Sequence, residues 1–104
     1  MKPASNAFFC YILECADGTY YTGWTTDPQR RLRQHNRGTG ARYTRTHGPV
    51  RLVYVEPQPD RSSAMRRELQ IKRMKRGGKE KLIQDAMLGS GDPSGMLRED
   101  PRPA

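Results

Sequence analysis

One stretch limits what this chain can fold into more than any other. It is an apolar run from Phe8 to Cys15 (FFCYILEC), an Ala16-Asp17-Gly18 turn, and a second run from Thr19 to Trp24 (TYYTGW). Aromatic and branched residues at this density read as a buried strand, and two such runs around a turn read as a hairpin. A two-residue Asp-Gly loop would pair Glu14 with Tyr21 and send Tyr11 and Tyr21 to opposite faces. A three-residue loop, with Gly18 as the left-handed bulge residue, pairs Leu13 with Tyr21 and Tyr11 with Gly23. Both tyrosines then share a face, and this loop is the expected one. A glycine in mid-strand weakens packing, so Gly23 needs another reason, such as close approach of a substrate backbone.

Punctuation divides the rest. Asp27 suits an N-cap, Pro28 the first helical position and Gly38 the stop, which predicts a helix over Pro28 to Arg37. Leu32 is its only strongly apolar residue, so most of its surface meets solvent or a ligand. Thr39 to Pro49 reads as a basic loop. Val50 to Glu56 reads as a third strand, with Pro57 and Pro59 forbidding its extension. Asp60, Ser62 or Ser63 caps a helix over Ala64 to about Arg76, which Gly77-Gly78 stops. A shorter helix is expected over Lys79 to Leu88. The result is an α+β domain, a small three-stranded sheet flanked by helices, over residues 8–88. Residues 1–7 read as a flexible lead and 89–104, rich in Gly, Pro and Ser, as a disordered tail.

Charge points to the partner. Lys and Arg number 19 against 11 Asp and Glu, for +8. The tail sets Arg98 and Arg102 against Asp92, Glu99 and Asp100, so the body carries +9. That surplus attracts phosphate polyanions through Coulomb forces and counterion release. No apolar stretch approaches the length of a membrane span. No leader-like run opens the chain. Cys10 and Cys15, at an odd spacing in one strand, cannot bridge each other and read as buried thiols of a reducing cytoplasm.

Arg31 and His35, four apart, share a helical face. They read either as a solvated basic face or as a phosphate clamp, since Arg offers paired donors to phosphate. Glu68 lies at the edge of a buried face set by Ala64, Met65 and Ile71, in a helix crowded with cations. It reads either as the partner of Lys72 or as a ligand for a hard cation such as Mg²⁺ or Mn²⁺. Arg42, Tyr43 and Arg45 interleave cations with an aromatic, and Lys72, Arg76 and Lys79 extend the basic run. Together they suggest a groove for a phosphate backbone, with Tyr43 free to stack on a base.

In this order and spacing the residues resemble the GIY-YIG nuclease domain, over about Phe8 to Leu88. The likeness is strongest to its small stand-alone bacterial (YhbQ-like) members. The first motif appears as Phe9-Cys10-Tyr11, keeping only its tyrosine, and the second as Tyr21-Thr22-Gly23. Arg31 falls ten after the second tyrosine, where the family has its catalytic arginine. His35 matches a histidine of some branches, and Glu68 matches the metal-binding glutamate. Trp24 stands where some branches place a lysine, and Ser63 where many have an acid.

The resemblance implies a divalent-metal-dependent endonuclease of nucleic acid, DNA rather than RNA, directed by structure rather than sequence. Tyr11, Tyr21, Arg31, His35 and Glu68 would be catalytic, with Glu68 holding the metal. Either tyrosine would take a proton from water, Arg31 would stabilise the pentacovalent phosphate, and His35 would orient water or phosphate. A protein partner for targeting is conceivable in so small a chain. The alternative is a non-catalytic nucleic-acid-binding module of the same fold.

Overall fold

A computed structural model describes residues 7–89. The expected lead and tail fall almost wholly outside them. The described residues fall into two compact units, one ending at Arg73 and one beginning at Met74.

In the first unit, β1 (Phe8–Cys15) and β2 (Tyr20–Thr25) form the hairpin, followed by α1 (Pro28–Asn36), α2 (Arg42–His47), β3 (Val50–Gln58) and α3 (Arg61–Lys72). The antiparallel sheet has the order β2-β1-β3. Central β1 is covered on both sides, so Cys10, Tyr11, Ile12, Leu13 and Cys15 are all buried. Tyr11, Leu13, Cys15 and Val50 form a core with Tyr21, Leu32 and Leu52 against it. On the other side Cys10 Sγ–H donates to the Ala64 carbonyl of α3 at 3.2 Å. Both cysteines are free.

The hairpin loop is the three-residue one. Gly18 has φ +88°, Cys15 N–H donates to Thr19 O at 2.8 Å, and Tyr11 pairs with Gly23 and Leu13 with Tyr21. Gly23 has a more local reason than a substrate. A Cβ there would lie 2.5 Å from the Tyr11 phenolic oxygen, so the missing side chain makes room for Tyr11 itself.

Helix α1 begins as its sequence predicts. Asp27 Oδ1 accepts from Arg30 N–H at 3.1 Å, Pro28 follows, and Gly38 with φ +84° lies just past the Arg37 C-cap. Asn36 ties its end to β3, donating to Val50 O at 2.9 Å and accepting from Val50 N–H at 2.8 Å. Asp60 is the cap of α3, accepting from Ser63 N–H at 2.8 Å.

Three expectations are corrected. The basic segment is not a loop throughout: Arg42–His47 is helical. No side chain caps it, and its threonines are poor helix formers, so its local sequence does not announce it. Strand β3 runs to Gln58, through Pro57, because it is an edge strand paired on one side only, where proline is tolerated. The break between the last two helices falls at Arg73–Lys75, not at Gly77-Gly78.

In the second unit, α4 (Arg76–Gly89) carries both glycines in its first turn. There the amide groups need fewer intrahelical partners, and Gly78 N–H and Lys79 N–H both reach Lys75 O. Arg76–Glu80 at 2.9 Å and Lys81–Asp85 at 3.5 Å are ion pairs along this helix.

Candidate active site

Alternation along a strand sends Tyr11 and Tyr21 to the side of the sheet that holds α1, and Phe8 and Trp24 to the other. At the free edge of β2 the two sides converge on one cleft of about 500 Å³. Tyr11, Tyr21 and Arg31 enter it from one side, and Phe8, Trp24, Arg61 and Glu68 from the other. Four of the five residues expected to be catalytic thus line a common cavity, although they come from four separate elements.

The fifth, His35, does not line the cleft. It is buried behind the tyrosines, 1% exposed. Its ring meets Tyr21 edge-on at 5.2 Å between centroids. Its Nε2 lies 2.9 Å from the Tyr11 hydroxyl and its Nδ1 2.7 Å from Thr44 Oγ1. Both its nitrogens are engaged inside the protein, and it meets the cleft only through the tyrosines.

The Thr44 hydroxyl donates to Ala41 O at 3.0 Å, so it is left to accept from Nδ1–H. The Ala41 N–H donates to Nδ1 at 3.4 Å, which suits the other tautomer, with the proton on Nε2. With the proton on Nδ1, Nε2 accepts from Tyr11 O–H and donors run in one direction from Tyr11 through His35 and Thr44 to the Ala41 carbonyl; with it on Nε2, the ring donates to the Tyr11 oxygen.

Burial, with the Arg31 charge nearby, lowers His35 to about 4, which leaves it neutral near pH 7. Burial raises Tyr11 to about 12, and the Arg31 guanidinium pulls the other way. Arg31 is steadied by donating to Gln34 Oε1 at 2.9 Å.

Glu68 is paired with Lys72, Nζ to Oε2 at 3.3 Å, and its side chain is 21% exposed. Glu68 therefore has the lysine partner and also faces the cleft. Among the described residues no group of three His, Cys, Asp or Glu could cage a metal. One carboxylate at the wall of an open cleft suits a hard cation that keeps most of its waters, and does not suit a closed zinc site.

The basic residues are less uniform than expected. Arg42 and Arg45 are exposed on α2. Tyr43 is not free to receive a base: the His47 ring lies parallel at 3.9 Å, Tyr21 is stacked at 6.1 Å, and the Tyr43 hydroxyl donates to Thr19 Oγ1 at 2.7 Å. Lys72 and Arg76 are each ion-paired within their own helices. Lys79 is half-buried on α4.

Thr44, Gly40 and Arg61 went unnoticed in the sequence. A Cβ at Gly40 would collide with His35 Nδ1. The one available signal was the pair of small residues in a basic segment, and it does not point to histidine.

A tyrosine-bearing hairpin on a three-stranded sheet, with an arginine and a glutamate brought to its edge, is the architecture of a nuclease domain. The chain belongs to the GIY-YIG family: residues 7–81 match its family model, described as the GIY-YIG catalytic domain. A UPF0213 protein of Halobacterium salinarum is 56% identical over 73 residues, covering 70% of this chain and 95% of that one. One from Halalkalibacterium halodurans is 49% identical over 75 residues, covering 72% and 80%. Two solution NMR structures are similar. The UPF0213 protein of Bacillus halodurans has TM-score 0.51 and 41% identity, covering 92% of this chain and 99% of that one. A protein of E. faecalis has TM-score 0.54 and 40% identity, covering 79% and 88%.

Proposed function

We propose that this chain is a divalent-metal-dependent endonuclease that hydrolyses phosphodiester bonds in nucleic acid, DNA in the first instance, with residues 8–88 as its nuclease domain. What carries the reading is the convergence of Tyr11, Tyr21, Arg31 and Glu68 on one cleft at the β2 edge. The exposed cations Arg42 and Arg45 on α2 support binding of a phosphate backbone. Among the described residues no helix is long and apolar enough to cross a membrane, and a cytoplasmic setting is part of the proposal.

Of the two tyrosines, Tyr11 is the proton acceptor. A tyrosine pushed up to about 12 is a poor base by prior ionisation. The Arg31 guanidinium beside it pulls that value down, and an ion bound at Glu68 would pull it further, so that ionised Tyr11 takes the proton from the attacking water. The proton ends on the Tyr11 oxygen, which His35 holds in place by hydrogen bonding. Arg31 donates to the phosphate oxygens and offsets the charge that grows on them. Tyr21 lines the cleft and positions the phosphate. Glu68 would hold a Mg²⁺ or Mn²⁺ ion, which when bound supplies Lewis-acid stabilisation of the same oxygens.

The second reading, a binding module without turnover, draws on one observation: Glu68 already has a cation in Lys72. A labelled panel of duplex, single-stranded, flap and junction DNA, plus RNA, separates the two. It is run with Mg²⁺, Mn²⁺ or chelator, for wild type, Arg31→Ala and Glu68→Ala. Metal-dependent product from wild type alone supports the nuclease. Binding across the panel with no product from any protein supports the module.

A further inference from the structure

The wall of the cleft opposite Arg31 is aromatic, and catalysis does not use it. Phe8 and Trp24 lie with ring centroids 6.1 Å apart, tilted by 46°. The exposed Arg61, at the start of α3, rides over Trp24 with its guanidinium carbon 5.4 Å from the ring centroid. That is within cation–π range. All three line the same cavity as Tyr11, Arg31 and Glu68. Its volume of about 500 Å³ lies within the roughly 300–1,000 Å³ typical of sites that take a small molecule.

From this geometry we infer that Trp24 and Arg61 form a nucleobase shelf, which takes one unpaired base of the strand whose phosphate lies at Arg31. The inference rests on the proposed reading of the cleft as a phosphodiester site. Three features lead to it. The shelf is continuous with the phosphate-facing residues, so a nucleotide spans both. Aromatic rings and guanidinium planes stack on bases without regard to sequence. A base in an intact duplex has both faces covered by its neighbours, so only an unpaired one can use the shelf. The substrate class is therefore nucleic acid with a single-stranded nucleotide at the cut: a single strand, a flap or a frayed junction.

The chain's single tryptophan makes the inference directly measurable. Full-length protein in chelator is titrated with a single-stranded oligonucleotide and with a duplex of equal length, and Trp24 emission is followed. The single strand is expected to quench it strongly and the duplex to leave it nearly unchanged. Affinity for labelled forms of both is then measured with Trp24→Leu, Trp24→Phe and Arg61→Gln. Trp24→Leu should weaken single-strand binding by roughly 5- to 100-fold and move duplex binding by less than about twofold. Trp24→Phe should restore most of the loss. Arg61→Gln, at an exposed position, should reproduce part of it, and serves if Trp24→Leu does not fold.

Equal quenching by both ligands, equal losses for both, or unchanged single-strand affinity in Trp24→Leu and Arg61→Gln would each overturn the shelf. Binding is read without metal or turnover. Absence of cleavage in the earlier panel would therefore remove the nuclease reading and leave this test standing.

Discussion

The phenolic oxygen of Tyr11 sits 2.9 Å from Nε2 of a buried, neutral His35. That contact is why the proposed mechanism uses Tyr11 of the two cleft tyrosines. Tyr21 touches the same imidazole only through its ring edge.

Tyr11→Phe keeps the ring and removes the proton path. Cleavage should fall by about 10²- to 10⁴-fold, the usual worth of positioned acid–base catalysis. Affinity measured in chelator should stay within about twofold. Stability should drop by about 1–3 kcal/mol, because His35 Nε2 is left buried without a partner. Single-turnover cleavage of Tyr11→Phe beside Tyr21→Phe is the check. Equal losses in the two would withdraw Tyr11 as the proton acceptor.

Gly23→Ala places a methyl 2.5 Å from the Tyr11 hydroxyl oxygen and 2.7 Å from the ring carbon that bears it. Overpacking of this kind should cost about 1–3 kcal/mol. In a Tyr11→Ala background the methyl meets nothing of the phenol, and the cost should shrink to below about 0.5 kcal/mol. Thermal or urea unfolding of the four proteins reads the cycle. Additive costs would show that the glycine is needed for its backbone alone.

The pH dependence has a defined sign. His35 is lowered to about 4 in the folded protein, from an ordinary value of 6.5. Between those values the unfolded chain binds a proton that the folded one refuses. The stabilisation is complete above about pH 6.5 and is lost as pH falls toward 4. Wild type should lose about 2–3 kcal/mol more than His35→Gln across that window. Denaturant midpoints at pH 7, 5.5 and 4 test it, and parallel curves for the two proteins would refute it.

Lys72 competes for the carboxylate that the proposal gives to the metal. Lys72→Met should move stability by less than about 1 kcal/mol, since partly exposed pairs are worth little. It should also lower the Mn²⁺ concentration that gives half-maximal cleavage. Glu68→Gln should abolish metal-dependent cleavage and leave the fold intact. A higher metal requirement in Lys72→Met would argue that Lys72 serves the site rather than blocking it.

Local chemistry carries far in this chain. The hairpin register follows from loop length, because a period of two leaves no freedom once Gly18 takes the left-handed position. The start of α1 follows from Asp27 and Pro28, whose capping bond and fixed φ act within one turn. The family resemblance carried by their order and spacing pointed to Tyr11, Tyr21, Arg31 and Glu68, and the fold brings these four to one cleft. Order and spacing could not foretell α2, a short helix with no cap and threonines inside it, or β3 passing through Pro57, which depends on that strand lying at an edge.

What only the tertiary structure decided is where each side chain of the site stands. From the sequence, His35 is a polar residue on a basic helix, with nothing to distinguish solvent from core. Packing of α1 and α2 against the sheet buries it, and hydrogen bonds to Tyr11 and Thr44 compensate for the water it loses. Tyr43 stays exposed but is held in place by His47 and Thr19. Burial and pairing are properties of neighbours brought together across the fold. A sequence states the residue types and their local rhythm, and leaves those meetings to the chain once it has closed on itself.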